Sequence, residues 1–311
     1  MTQYNGILLC KKPYKMSSHD VINNLRRVIG QKKIGHTGTL DPRATGLLVV
    51  CLGRATKISQ FLTDCDKTYE VEITLGMKSS THDAEGILDE PPVPVPELTP
   101  EEVTRILAEF QGKIMQKVPI YSAVKVQGKR LYKLARKGES IDTPEREIEV
   151  KCIELLKLSL PVVYCRVTCS KGTYIRTLAH DIGQYIGCGG YLSNLSRTLV
   201  GEYSLVDALT LSEIRHFREA GVLKRYVRPI EEILKYPIIK VGGDFSPFIL
   251  SGKSPRFDDI VDIKGQFDAD ELISLEDQTG RIMAVGLSRV SSAKLENDRT
   301  NDFFKYVRVL N

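Results

Sequence analysis

The string GHTGTLDPRATG at residues 35–46 constrains this chain more than any other segment. Its glycines and Asp-Pro make it a loop whose backbone can approach a ligand closely, because glycine adopts conformations closed to other residues. The flanks fix what the loop is tied to. Ser17 or Ser18 can cap a helix that carries Val21, Ile22, Leu25, Val28 and Ile29 on one face. Residues 47–52 are continuously apolar, as in a buried strand beneath the loop. Asp41 is the loop's only carboxylate. An isolated Asp-Pro is ordinary turn punctuation; a carboxylate inside a glycine loop of this length is a candidate for chemistry.

The rest of the chain alternates two kinds of pattern. Residues 68–75, 148–156 and 162–169 alternate apolar and polar positions, as half-buried strands do. Thr99, Pro100 and Glu102 form a helix start with a cap, a first-turn proline and a capping-box glutamate, and that helix ends near Gly112. Residues 173–186 and 211–220 carry helical periodicity. The pattern predicts an α+β fold with a mixed, largely antiparallel sheet flanked by helices. Past Tyr236 and Pro237 helical periodicity stops, and five short β-prone runs predict a small β-barrel or sandwich. The predicted domains are therefore 1–235, with an insertion at about 91–140, and 238–311. No phosphate-binding P-loop and no strand-linked Gly-x-Gly-x-x-Gly is present, so nucleotide and dinucleotide cofactors have no support.

Charge is segregated. Residues 1–60 and 110–138 each balance to +8, residues 61–109 to −9 and residues 238–311 to −2. Two basic segments, one beside a glycine loop and one interleaved with tyrosines, fit a nucleic-acid partner, with repulsive acidic surface elsewhere. The seven cysteines form no Cys-x-x-Cys pair and most sit in apolar runs, so buried thiols are expected. No His/Asp spacing suits a metal. With no membrane-length apolar run and no leader pattern, a cytoplasmic location is expected.

These motifs, in this order, resemble the TruB family of tRNA pseudouridine synthases. GHTGTLDPRATG resembles the family's catalytic loop, Asp64 to Val71 its second motif, and Ser170 to Thr177 its third. The stretch from Leu192 to Thr198 resembles its Leu-and-Arg motif. Tyr121 to Lys125 and Gly128 to Tyr132 resemble an RNA-contacting insertion, and the C-terminal region loosely resembles a PUA RNA-binding domain. The resemblance implies a pseudouridine-synthase core and the isomerisation of the T-loop uridine of tRNA, at position fifty-five. It makes Asp41 the essential carboxylate and Arg176 its two-pronged partner. Tyr69 becomes the ring stacked on the target base, and Tyr174 and Leu195 become pocket walls. His36 is set against the opened RNA loop. Lys125, Lys129 and Arg130, with Lys133, Arg136 and Lys137, are set on the RNA phosphates, and Tyr121 and Tyr132 offer flat surfaces to splayed bases. The reaction exchanges no group and oxidises nothing, so it needs no cofactor and no metal. The implied partner is a tRNA T-stem-loop, bound by a monomer. Three chemical paths stay open: ribose attack, addition to the base, and a glycal route. A guide-RNA-dependent relative and a non-catalytic tRNA-folding chaperone are the rival readings.

Overall fold

A computed structural model describes residues 3–122, 124–126, 128–131, 134, 142–298 and 303–310. The first strand, β1 (Gly6–Lys12), runs into helix α1 (Ser18–Ile29), which Ser17 caps through a capping box with Asp20. Short β2 (Ile34–His36) leads into the glycine loop, and β3 (Thr45–Leu52) leaves it, buried almost throughout. Helix α2 (Ser59–Thr63) and strand β4 (Lys67–Leu75) follow. Helix α3 (Pro100–Ala108) starts at the predicted Thr99 box. Strand β5 (Gly112–Lys117), the ribbon β6 (Lys125–Val126) and β7 (Lys129–Arg130), and the long hairpin β8 (Glu145–Ser159) and β9 (Val162–Cys169) come next. Helix α4 (Ile175–Ile186) precedes β10 (Gly190–Val200) and β11 (Tyr203–Ser204), and α5 (Leu211–Glu219) comes after them.

Among the described residues one sheet has the order β1-β3-β10-β4-β9-β8-β5, with β2 and β11 paired on β3 and β10. Every pairing is antiparallel except β3 with β10, where Thr45 and Gly46 meet Ser196 and Arg197 in parallel. That pairing carries the end of the glycine loop to the Leu-and-Arg segment. Gly46 has φ +106°, and a Cβ there would lie 2.3 Å from the Arg197 carbonyl oxygen, so only glycine permits the approach. One sheet face packs Val71, Ile73, Val163 and Val167 on Val103, Leu107, Leu178 and Ile182 of α3 and α4. Farther along the same face, Leu8, Leu48 and Val50 pack on Val21, Leu25 and Ile214 of α1 and α5, while Ile7, Leu9, Leu47 and Val49 point to the opposite face.

The five C-terminal runs form β12 (Ile238–Val241), β13 (Ile260–Lys264), β14 (Leu272–Glu276), β15 (Ile282–Ser288) and β16 (Phe304–Val309). They make a mixed sheet of order β13-β12-β14-β15-β16, with β12 and β14 parallel; among the described residues β13 and β16 are its edges. This sheet shares an apolar cluster with the first: Ile282, Val285 and Leu310 pack with Ile58, Leu62 and Ile230. Arg54 ties the seam, its Nε donating to the Leu310 carbonyl at 2.9 Å and its Nη2 to that of Ile282 at 2.5 Å. Among the described residues no helix is long and apolar enough to cross a membrane.

Candidate active site

The Asp41 loop is held from three directions by groups other than its own carboxylate. Ser18, buried in the first turn of α1, accepts from the Leu40 N–H at 2.8 Å and donates to the Leu40 carbonyl at 3.0 Å. Lys12, fully buried, donates from Nζ to the carbonyls of Pro42 at 3.0 Å and Ala44 at 2.5 Å. Burial pushes its ammonium down to about 8, and the charge of Asp41 opposes that shift. Arg197, also buried, donates from Nε to the Leu47 carbonyl at 2.8 Å and from Nη2 to that of Gly38 at 3.0 Å. Backbone carbonyls that a loop would otherwise leave to water are thus satisfied by buried cations, and the loop shape is fixed in advance.

Tyr174 caps α4, and the buried Gln116 amide of β5 grips its backbone both ways, donating to the carbonyl at 3.0 Å and accepting from the N–H at 2.8 Å. This sets the first helical turn, from which Arg176 reaches back to the loop. Its Nη1 lies 3.5 Å from Asp41 Oδ2 and 3.3 Å from Asp83 Oδ2, while Nη2 donates to the Tyr121 carbonyl at 2.6 Å. The Arg176 side chain is 8% exposed, that of Asp83 13% and that of Asp41 45%. A guanidinium this buried needs its charge met, and two carboxylates and a carbonyl do so at Nη1 and Nη2, while Nε has no hydrogen-bond partner among the described residues. Asp83 is itself fixed: its Oδ1 accepts from Thr81 Oγ1 at 2.6 Å and from the Glu85 N–H at 2.9 Å.

Asp41 opens onto a cavity of ≈ 460 Å³ lined by the loop, Tyr69, Tyr121, Tyr174, Arg176, Leu195 and Arg197. The volume falls in the range of small-molecule sites, about 300–1,000 Å³. Tyr69 and Arg197 stand opposite each other on β4 and β10, and Leu195 is two residues away on the same strand. Burial raises the Tyr69 phenol above its usual pKa, with the Arg197 cation beside it opposing, so the site holds a neutral ring with an O–H. Tyr174 turns its face to two cations, with Arg146 5.2 Å and Arg176 5.7 Å from the ring centre.

Two family models match the chain in succession. The TruB family pseudouridylate synthase N-terminal domain matches residues 26–175, and the tRNA pseudouridylate synthase B C-terminal domain matches residues 176–235. The tRNA pseudouridine synthase B of Pelotomaculum thermopropionicum is 39% identical, over 98% of this chain and 97% of its own length. That of Ralstonia pickettii is 49% identical over 80% of this chain and 79% of its own. The chain belongs to the TruB family. Among solved structures, an H/ACA RNP bound to a substrate RNA containing 2′-deoxyuridine superposes with TM-score 0.73 at 22% identity, over 98% of this chain and 85% of that one. The Nop10-Cbf5 complex of an archaeal box H/ACA sRNP matches with the same TM-score at 23% identity. Both establish the α+β pseudouridine-synthase fold.

In this TruB-family chain the structure brings Asp41, Arg176, Tyr69, Tyr174 and Leu195 to one cavity. His36 ends β2, half-buried, and does not line that cavity; burial first and then the Arg197 cation lower its pKa. Lys125 and Arg130 pair in the β6–β7 ribbon beside Val126 and the exposed Lys129, past Tyr121. Tyr132, Lys133, Arg136 and Lys137 lie outside the described residues. Two expectations change. Arg176 does not grip Asp41 with two prongs, because Nη1 is shared with Asp83 and Nη2 is taken by a carbonyl. The acidic segment is not wholly repulsive surface, since Asp83 is mostly covered and paired with that cation. Asp83, Lys12, Arg197, Ser18 and Gln116 are the residues that sequence reasoning missed. Only Arg197 falls inside one of the family motifs.

Proposed function

We propose that this chain converts uridine to pseudouridine in tRNA, at position fifty-five of the T-loop. Asp41 is the essential carboxylate, Arg176 its partner and Tyr69 the stacking wall. The observation that carries the reading is Asp41 at the mouth of a tyrosine-walled cavity, its Oδ2 on the buried Arg176 guanidinium. Among the described residues its Oδ1 makes no hydrogen bond, which leaves that oxygen for substrate. The net reaction breaks N1–C1′ and joins C5–C1′. The C5 proton leaves and N1 gains one, so mass is unchanged and no second reactant enters. A carboxylate serves each path, attacking C1′, adding to the base, or taking a ribose proton. A stacked uracil is out of reach of any such group, so the nucleotide must flip. A ring face such as Tyr69 then contributes about 1–3 kcal/mol of stacking. Tritium release from 5-tritiated uridine in a T-stem-loop hairpin, with pure protein and no added cofactor, tests the reading. A hairpin that keeps its tritium rejects it. We place the enzyme in the cytoplasm, where its seven free cysteines suit a reducing compartment, and as a monomer, since one chain completes the site.

The RNA approaches along the basic insertion at about 91–140. Replacing Lys125, Lys129 and Arg130 together by alanine is expected to weaken RNA binding and flatten its salt dependence. The log–log slope should fall by about 0.7–0.9 for each phosphate that is no longer neutralised. A slope equal to that of the parent would put the ribbon away from RNA.

Residues 1–235 form the catalytic domain in this reading, and residues 238–311 a PUA-like RNA-binding module. The module's −2 balance offers little general attraction, but its Arg308 joins a cationic point at the seam with the first domain. Arg308 of β16 donates to Gln60 of α2 at 3.1 Å. Lys57 stands three residues before Gln60, and the Lys33 carbonyl accepts from Gly53 at 2.8 Å. Burial and then repulsion from Lys33 and Arg308 lower the Lys57 pKa. Among the described residues none of these three cations has an ion-pair partner, and an RNA backbone would relieve their repulsion. Lys33→Ala with Lys57→Ala and Arg308→Ala should raise the RNA concentration for half-maximal rate by roughly ten-fold, about 1.4 kcal/mol. The single-turnover rate at saturating RNA should hold. Unaltered affinity would place this seam, and the module's Arg308 with it, away from the RNA.

A further inference from the structure

Two imidazoles behind Arg176 take no part in the chemistry assigned to Asp41. His82 and His180 stack with ring centres 3.9 Å apart and planes 3° apart. His82 immediately precedes Asp83 in the chain, and His180 stands four residues after Arg176 on α4, one helical turn along the same face. The 79–86 loop therefore meets α4 at two adjacent points, Asp83 on Arg176 and His82 on His180. A single contact would let the loop pivot about it; two contacts one turn apart fix its register. The rest of the loop bears on β10, where the Leu192 N–H donates to the His82 carbonyl at 3.0 Å and the Ala84 N–H to the Leu192 carbonyl at 3.1 Å. His82 has φ +64°, a left-handed conformation uncommon outside glycine, and so needs tertiary contacts to hold it.

We propose that the His82–His180 stack is a second clamp, and that both histidines are positioning residues that set Asp83, and through it Arg176, against Asp41. Burial holds both rings below the ordinary imidazole pKa, with His82 pushed down to about 4. The stack is therefore between neutral rings near neutral pH. Among the described residues neither Nδ1 has a hydrogen-bond partner, so at that nitrogen neither ring is anchored by a bond. The inference rests on the assignment of Arg176 to the reaction.

The test uses the full-length chain with His180→Ala, His82→Ala, their combination and His180→Phe, each against the 5-tritiated hairpin. The alanine variants should lose about 10- to 100-fold in single-turnover rate at saturating RNA, as misplacement of a reacting group does. Their RNA affinity should stay within about three-fold. The combination should be no slower than either single change, because the two rings act as one contact. His180→Phe keeps a ring face and should recover most of the rate. Amide exchange over residues 80–85 in the free protein should be about tenfold faster in His180→Ala and near the parent in His180→Phe. A parental rate in His180→Ala, multiplying losses in the combination, or an equal loss in His180→Phe would overturn the clamp. Should the alanine variants fail to fold, His180→Phe alone decides: it retains both rate and protection, or the proposal falls. If the parent leaves the hairpin unconverted, the functional reading fails, while the exchange measurement still decides the clamp.

Discussion

Asp41→Asn is expected to reduce turnover by at least about 10⁴-fold, the scale on which a group central to covalent or acid–base chemistry is lost. The substitution is nearly isosteric and removes one charge and one nucleophilic or basic oxygen. It should leave the loop in place, because the loop is held through backbone groups by Ser18, Lys12 and Arg197 and not through the Asp41 side chain. Asp41 is also almost half exposed, so neither form is strongly penalised by burial. Binding of the hairpin should therefore stay within a few-fold while tritium release disappears. Appreciable release by the variant would remove Asp41 from the chemistry. A matching collapse of RNA binding would mean that the loop recognises the RNA and that the carboxylate matters through shape.

What could be read from the chain alone follows from where the information lies. The glycine loop, α1, β4, β8, β9 and α4 are local patterns with complete periodicity or complete caps, and they form where expected. Strand β10 lies inside the main sheet, between β3 and β4, yet its sequence does not read as a strand. Register shifts between Leu192 and Asn194 and between Arg197 and Leu199 break its alternation. It also turns Arg197 inward, which no hydrophobic pattern announces. Asp83 was hidden for another reason. Its cation lies 93 positions later in the chain, and twelve acidic residues between 61 and 109 made it look like one of a solvated set. Lys12 shows the same limit: a lysine at a strand end reads as surface until the three carbonyls it serves are seen together.

Arg176→Lys is expected to slow the chemical step by about 10²–10³-fold, comparable to loss of one preorganised donor in a buried site. The present geometry asks one side chain to meet Asp41, Asp83 and the Tyr121 carbonyl from two nitrogens of a rigid plane. A lysine ammonium is a single point on a flexible stem and cannot hold all three at once. Asp83, mostly covered, should keep it, since an unpaired carboxylate there has the larger desolvation penalty, and Asp41 should be the group released. The variant should consequently fold and bind RNA while losing single-turnover rate. Arg176→Met should go further and leave Asp83 without a cation, at a cost of about 3–5 kcal/mol in folding and a lower Tm. Asp83→Asn provides the cross-check. If Asp83 acts only through the guanidinium, its loss combined with Arg176→Lys should cost little more than Arg176→Lys alone. A parental chemical step in Arg176→Lys would show that charge suffices. Fully multiplying effects would show that Asp83 touches the reaction by a route independent of Arg176.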